Sequence, residues 1–321
     1  MKRFLLFTCL VSFLMISATQ SEKFPEARIS NGILNASLYL PDTLNGYYRA
    51  MRFDWSGVIS SLTYDGHEYF GQWFQKYSPL INDAIMGPVE EFTPLKYSET
   101  KAGDTFLKIG VGMLVKADDS RYAFSKNYKI DNNGVWKTKE KSDQVQFAHK
   151  LQDPKYSYEY KKTVRLVKGK PGMVLIHTIK NTGKTLIETD VYDHNFFTID
   201  KSPTGPDLRV LFAFNPGGKF TGADITQFNG NQLTLKRELN KGENIHCAGL
   251  TGFSDRTEDY DIRIENIKTG AGVRITCDKP LSKMVLWANP YTLCPEPYIS
   301  IKVEPGKEFS WNINYEFYTI K

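Results

Sequence analysis

Cysteine is scarce in this chain of 321 residues, four in all, and Cys9 falls in an apolar N-terminal run. Cys247, Cys277 and Cys294 remain, and no CxxC or HxxxH spacing occurs, so no structural zinc site is expected. In an exported protein two of the three could pair and leave one odd, but buried free thiols are the simpler expectation. An excess of one charge is also missing. Lys and Arg number 41 against 36 Asp and Glu, and no basic run gathers them, so nucleic acid is not an expected partner. After residue 21 no apolar run is long enough to cross a bilayer as a helix. Internal repeats, low-complexity tracts, linkers and long helical periodicity are absent. So are the usual phosphate and nucleophile motifs. Asn181-Thr-Gly-Lys-Thr185 contains Gly-Lys-Thr, but the first glycine of a P-loop would stand at Thr178. Gly110-Val-Gly112 lacks a third glycine, and no Gly-x-Ser-x-Gly elbow occurs. The residues thus offer no zinc, P-loop or dinucleotide motif.

What is present starts with Met1-Lys2-Arg3, an apolar stretch over 4–16 and small residues over 17–21. That is the build of a secretory signal peptide, too short for a membrane span, and it places the mature chain in the periplasm or outside the cell. Its removal takes two cations from a formal charge of +5 and leaves a mildly basic chain. The remainder, 22–321, reads as one domain. Aromatics make up 13% of the chain and turn signals recur at short intervals, the pattern of many short strands in a β-sandwich. Asp65-Gly66 closes a hairpin after Val58–Tyr64. Further strands are expected over 108–116, 160–166, Asp261–Asn266, 272–277 and 298–303. A short helix is expected over 79–86 behind Ser78, and a solvated charged loop over 137–155.

The most informative stretch is 174–197: a strand, a tight hairpin turn at Asn181-Thr-Gly-Lys184, and a second strand ending Asp193-His194-Asn195-Phe196-Phe197. Alternate side chains of a strand face opposite ways, so Glu188, Asp190, Tyr192 and His194 share one face. A face with two acids, a tyrosine and a histidine is the ligand side of a large sheet rather than core. Two other segments belong with it. One is Trp287-Ala-Asn-Pro-Tyr291 running into Cys294-Pro-Glu296-Pro-Tyr298, and the other is Gly87-Pro-Val-Glu90-Glu91-Phe92.

Together these segments resemble the galactose mutarotase (aldose 1-epimerase) family. Asp-His-Asn-Phe-Phe is similar to that family's His-x-Tyr-Phe segment, and Cys294-Pro-Glu296-Pro to its C-terminal glutamate segment. Val303-Glu-Pro-Gly306 before the strand over 311–318, and 53–66 near the N-terminus, resemble its last strand and its opening hairpin. The resemblance implies an all-β, antiparallel galactose mutarotase-like β-supersandwich with a sugar cleft on its concave sheet. It implies His194 as general acid and Glu296 as general base, opening and reclosing a pyranose without a cofactor. Trp287, Tyr192 and Tyr298 would stack on the sugar, and Glu90, Glu91, Asn195 and Asp207 would bind its hydroxyls. The sequence also departs from the family. Its further histidine, in a Gly-x-x-His-Gly context, is replaced by Gly87-Pro-Val-Glu90-Glu91, and its Asn-Arg motif has only Arg49, Arg52 and Lys76 as stand-ins. The expected activity is therefore anomer interconversion of a neutral mono- or oligosaccharide other than ordinary galactose or glucose. The alternative is a non-catalytic carbohydrate-binding protein on the same fold. A polysaccharide-degrading enzyme comes third, with Glu91 and Glu296 as its nominal carboxylate pair.

Overall fold

The structure, a computed structural model, describes residues 24–320. The expected signal segment lies outside the described residues. Period-two burial organises the fold. Along Gln144–Gln152, Val145, Phe147, His149 and Leu151 are buried while Lys150 and Gln152 are exposed. Each phenylalanine or leucine buried this way contributes roughly 1.5–3 kcal/mol.

Ten strands form one antiparallel sheet, from Thr226–Asn229 at one edge to Val135–Lys141 at the other. A five-stranded antiparallel sheet packs on it, in the order Ile245–Cys247, Lys283–Asn289, Thr292–Val303, Ile187–Phe196, Gly87–Phe92. Smaller sheets of four and three strands complete an all-β sandwich, and the described residues contain three 3₁₀ turns but no α-helix. Val191, Ile299 and Ile301 of the smaller main sheet share one core with Leu175, Trp311 and Ile313 of the larger. On the opposite face of the five-stranded sheet lies a second, aromatic cluster holding Tyr48, Phe53, Val89 and Phe196. That sheet is thus covered on both sides, and Gly87–Phe92 is buried at all six positions.

Several local expectations need correction. The 79–86 segment is two successive turns, with Ile81 N–H bonded to Ser78 O and Ala84 N–H to Ile81 O. The Asn82 side chain leaves for Met51 N–H and Phe124 O, so no helix propagates. The 108–116 segment is two strands, Thr105–Lys108 and Gly112–Val115, because Gly110 turns the chain at φ 77°. A Cβ there would stand 2.6 Å from Asp54 Oδ1. The charged 137–155 region is mostly strand, Val135–Lys141 and Gln144–Gln152, at the edge of the large sheet, where exposed lysines discourage further pairing. The Asn181-Thr-Gly-Lys184 turn joins no hairpin. Gly172–Asn181 lies in the ten-stranded sheet and Ile187–Phe196 in the five-stranded one. Asn181, fully buried, clamps the crossing by donating to Thr185 O and Val303 O. The three cysteines are free and buried.

Candidate active site

Gly87–Phe92 and Ile187–Phe196 pair antiparallel with Tyr192 opposite Glu91, Asp193 opposite Glu90 and His194 opposite Val89. Directly opposed residues share a face, so Tyr192, Glu91 and His194 point outward, while Asp193 and Glu90 point toward the ten-stranded sheet. The outward face floors a cleft of about 570 Å³. The site thus sits on the five-stranded sheet, not on the larger one. The outer half of the same strand, Glu188 and Asp190, is exposed beyond the cleft.

Glu296 enters the cleft from the neighbouring Thr292–Val303 strand, and its Oε1 lies 3.3 Å from His194 Nε2. The strands separate at this point. Their ladder ends at Tyr192–Tyr298, and a single bridge, Phe197–Leu293, follows beyond the gap. Leu293 N–H donates to Phe197 O, so by alternation residues 295 and 297 would also aim their N–H groups at the His194 strand. Both are proline and have none. Pairing with Lys283–Asn289 on the other side runs through unbroken. In the gap the Asn195 side chain donates to Pro295 O at 3.0 Å, standing in for the lost ladder bonds next to Glu296.

The electrostatics of the pair follow from burial. His194 is stacked on Phe196 at 3.9 Å, with Phe53 and Trp287 edge-on at 5.6 and 5.9 Å. This apolar box, and then the Arg52 charge, hold its pKa well below 6.5. Its Nδ1 is buried with no partner. Burial pushes the Glu296 carboxyl up to about 8. Glu91 goes the other way: burial would raise it, but Lys108 and Arg52 hold it at about 2. Arg52 Nε donates to Glu91, Nη1 to Asp83 and Nη2 to the Tyr192 hydroxyl, at 2.7, 2.6 and 3.1 Å. Of the carboxylates on the cleft wall, Glu91 and Asp83 are thus ion-paired to arginine, and Glu296 has only the imidazole.

The other expected residues divide. Tyr192, Trp287 and Tyr298 line the cleft, and Tyr298 stacks on Tyr192 at 4.3 Å. Glu90 does not bind from there: it is fully buried on the inner face between Lys162 and His177. Asn195, also fully buried, is turned inward by the same alternation, 2.7 Å from the Tyr315 hydroxyl. Asp207 lies off the cleft, beside Lys268 at 3.7 Å. The acidic pair thus presents one carboxylate to the cleft, already neutralised by Arg52 and Lys108, so it does not by itself restrict the ligand to neutral sugars. Arg52 emerges from the three stand-in cations as a cleft residue, whereas Arg49 and Lys76 are not among its lining. Trp73, Tyr122, Phe124, Lys283 and His246, which line it too, sit in loops or on strand edges without periodic signal. Among the described residues no three His, Cys, Asp or Glu side chains gather as metal ligands, and no helix is long and apolar enough to cross a membrane.

No protein-family model matches the chain, and no curated protein does either. Solved structures do. The GalM/aldose epimerase homologue from C. elegans superposes with TM-score 0.59 at 14% identity, covering 93% of this chain and 99% of that one. The fold is galactose mutarotase-like. The Slr1438 protein of Synechocystis sp. PCC 6803 gives TM-score 0.57 at 13% identity, over 98% of this chain and 100% of the other. A galactose mutarotase-like protein from Clostridium acetobutylicum gives 0.56 at 12%, over 92% and 95%. Identities this low carry the mutarotase-like fold and leave the chemistry to the residues of the cleft.

Proposed function

We propose that the cleft is the active site of an aldose 1-epimerase-like isomerase that interconverts the anomers of a sugar. The observation that carries this reading is the His194–Glu296 pair, 3.3 Å apart on the floor of one cleft and shifted so that the two groups share a single proton near neutral pH. Mutarotation needs one proton donor and one acceptor side by side, because the ring oxygen and the anomeric hydroxyl are bonded to the same carbon. With the proton on Glu296, the carboxyl protonates the ring oxygen as its bond to C1 breaks, and neutral His194 takes the proton of the anomeric hydroxyl. The free aldehyde rotates about C1–C2. On reclosure the carboxylate takes back the ring-hydroxyl proton while the imidazolium returns its own to O1. The shifts thereby favour roles in the opening step that are the exchange of those expected from sequence. Trp287, Tyr192 and Tyr298 offer stacking faces, and Arg52 a charged donor.

The test is polarimetric or NMR-detected anomerisation of freshly dissolved reducing sugars. Loss of one member of an acid–base pair costs about 10²–10⁴ in rate, so His194→Ala and Glu296→Gln should each lose at least a hundredfold. Unchanged turnover in Glu296→Gln discards the assignment. The missing Gly-x-x-His-Gly histidine favours a second reading, saturable carbohydrate binding without turnover, which binding in the absence of anomerisation would select. The hydrolase reading is disfavoured, since both Glu91 oxygens are engaged, Oε1 by Lys108 and Oε2 by Arg52 and Tyr192, which leaves neither free to attack a sugar or activate a water. In the same reading the chain is exported after loss of 1–21, supported by the basic, apolar and small-residue segments in turn. N-terminal sequencing of the secreted or periplasmic protein should begin near residue 22, and an intact Met1 on cytoplasmic protein refutes it.

A further inference from the structure

The cleft does not end at the His194–Glu296 pair. Beyond Thr93, Pro94 and Tyr122, which line both, opens a second hollow of about 630 Å³. The wall they share is firmly built. Tyr122 accepts a hydrogen bond from buried Lys108 at 2.6 Å and stacks on Tyr128 at 5.6 Å. At roughly 30 Å³ per water the first cleft alone has room for about nineteen waters. A hexose of twelve heavy atoms replaces far fewer.

The second hollow is also lined with charged groups that no opposite charge neutralises. Lys116 is 4% exposed, and its ammonium donates to the carbonyls of Tyr97 and Thr100 at 3.2 and 2.7 Å. The ammonium also lies over the Tyr97 ring at 4.6 Å, and no carboxylate of the described residues forms an ion pair with it. Asp119 and Arg121 line the same hollow with no hydrogen bond or ion pair from their side chains to any described residue. A buried cation without a carboxylate partner, in one hollow with a free carboxylate and a free guanidinium, is a poor surface for an apolar ligand and a good one for a ring rich in hydroxyls.

We propose that the ligand is the reducing end of an oligosaccharide, its terminal ring over His194 and Glu296 and the next ring in the hollow of Lys116, Asp119 and Arg121. This rests on the reading of the first cleft as a sugar site. The experiment compares galactose and glucose with lactose, maltose, cellobiose and maltotriose as probes, by anomerisation and, separately, by calorimetric binding. At least one of the longer sugars should exceed its reducing-end monosaccharide tenfold in kcat/KM and in affinity. Arg121→Ala and Asp119→Ala, both at exposed positions, should cut that preference at least fivefold; Lys116→Met should do so too if it folds. Equal values for one ring and for two, or a preference that survives both surface variants, overturns the proposal. If no sugar is turned over, the isomerase reading fails alone, and the binding preference still decides for or against the second ring.

Discussion

At the scale of single residues, His194 and Glu296 were legible as cleft residues through the two short segments that carry the family resemblance, 193–197 and 294–297. Glu90 and Asn195 were misplaced, and alternation already held the correction. Neighbours on a strand face opposite ways, so Glu90 and Glu91 cannot both reach one cleft, nor can Asn195 share a face with His194. Arg52 could not be singled out, because its position depends on Glu91 and Asp83, one of them 39 residues away. The pair itself makes a sharp prediction. One proton is shared, so kcat/KM should be level around neutrality and fall tenfold per pH unit above about 8, as Glu296 loses its proton. On the acid side it should fall only well below pH 6.5, where the imidazole also charges. A rate that climbs through pH 8 would show that the proton on the pair is not needed.

At the scale of elements, strands were read well where turn chemistry bounds them, as Asp65 and Gly66, both at positive φ, bound Val58–Tyr64. They were read poorly where the partner strand decides. The Asn181 turn has hairpin composition, yet the two strands it joins bond to different neighbours, which no local pattern records. The element that makes the site is the gap opened by Pro295 and Pro297 and spanned by Asn195. On the proposed reading Asn195 is a positioning residue: its amide bonds the backbone next to Glu296, and it is not part of the cleft lining. Replacing it with alanine leaves the Pro295 carbonyl unpaired, at a stability cost of about 1–3 kcal/mol. If the bond only supports the fold, kinetics of the folded variant are unaltered. If it holds Glu296 against His194, Asn195→Ala lowers kcat at least tenfold with KM within about threefold, and shifts the alkaline limb of the pH profile. Identical kcat and pH profile in the folded variant would refute the positioning role.

For the whole molecule, the buried titratable groups set a pH optimum of stability. Burial raises the Asp54 carboxyl to about 7, Glu296 to about 8 and Asp193 well above the ordinary range. A raised carboxyl stabilises fully below its unfolded pKa and loses that contribution as pH rises to the folded value, because the folded state holds more protons. His149, His177 and His194 are lowered, again by burial, His149 to about 4. They stabilise above about 6.5 and lose that as pH falls. Between roughly pH 4.5 and 6.5 the two sets oppose one another and stability should be nearly level. Below that, protonating Glu90 and Glu91, both held at about 2 against burial by their cations, removes stability as well. Above 6.5 the histidines are silent and only the carboxyls act. Glu296 alone should then lose about 2 kcal/mol by pH 8, at about 1.4 kcal/mol per pH unit. For a chain of this size that is a drop of several degrees in Tm. The glutamine variant keeps the shape of Glu296 without the charge. The Tm of Glu296→Gln relative to wild type should therefore be near constant at pH 4 and below and rise steadily toward pH 8. A difference that stays flat up to pH 8 would mean that Glu296 is ionised throughout. The shared proton would then have to reside on His194, and the strain of a buried, functional carboxyl would not be the reason the fold loses stability in base.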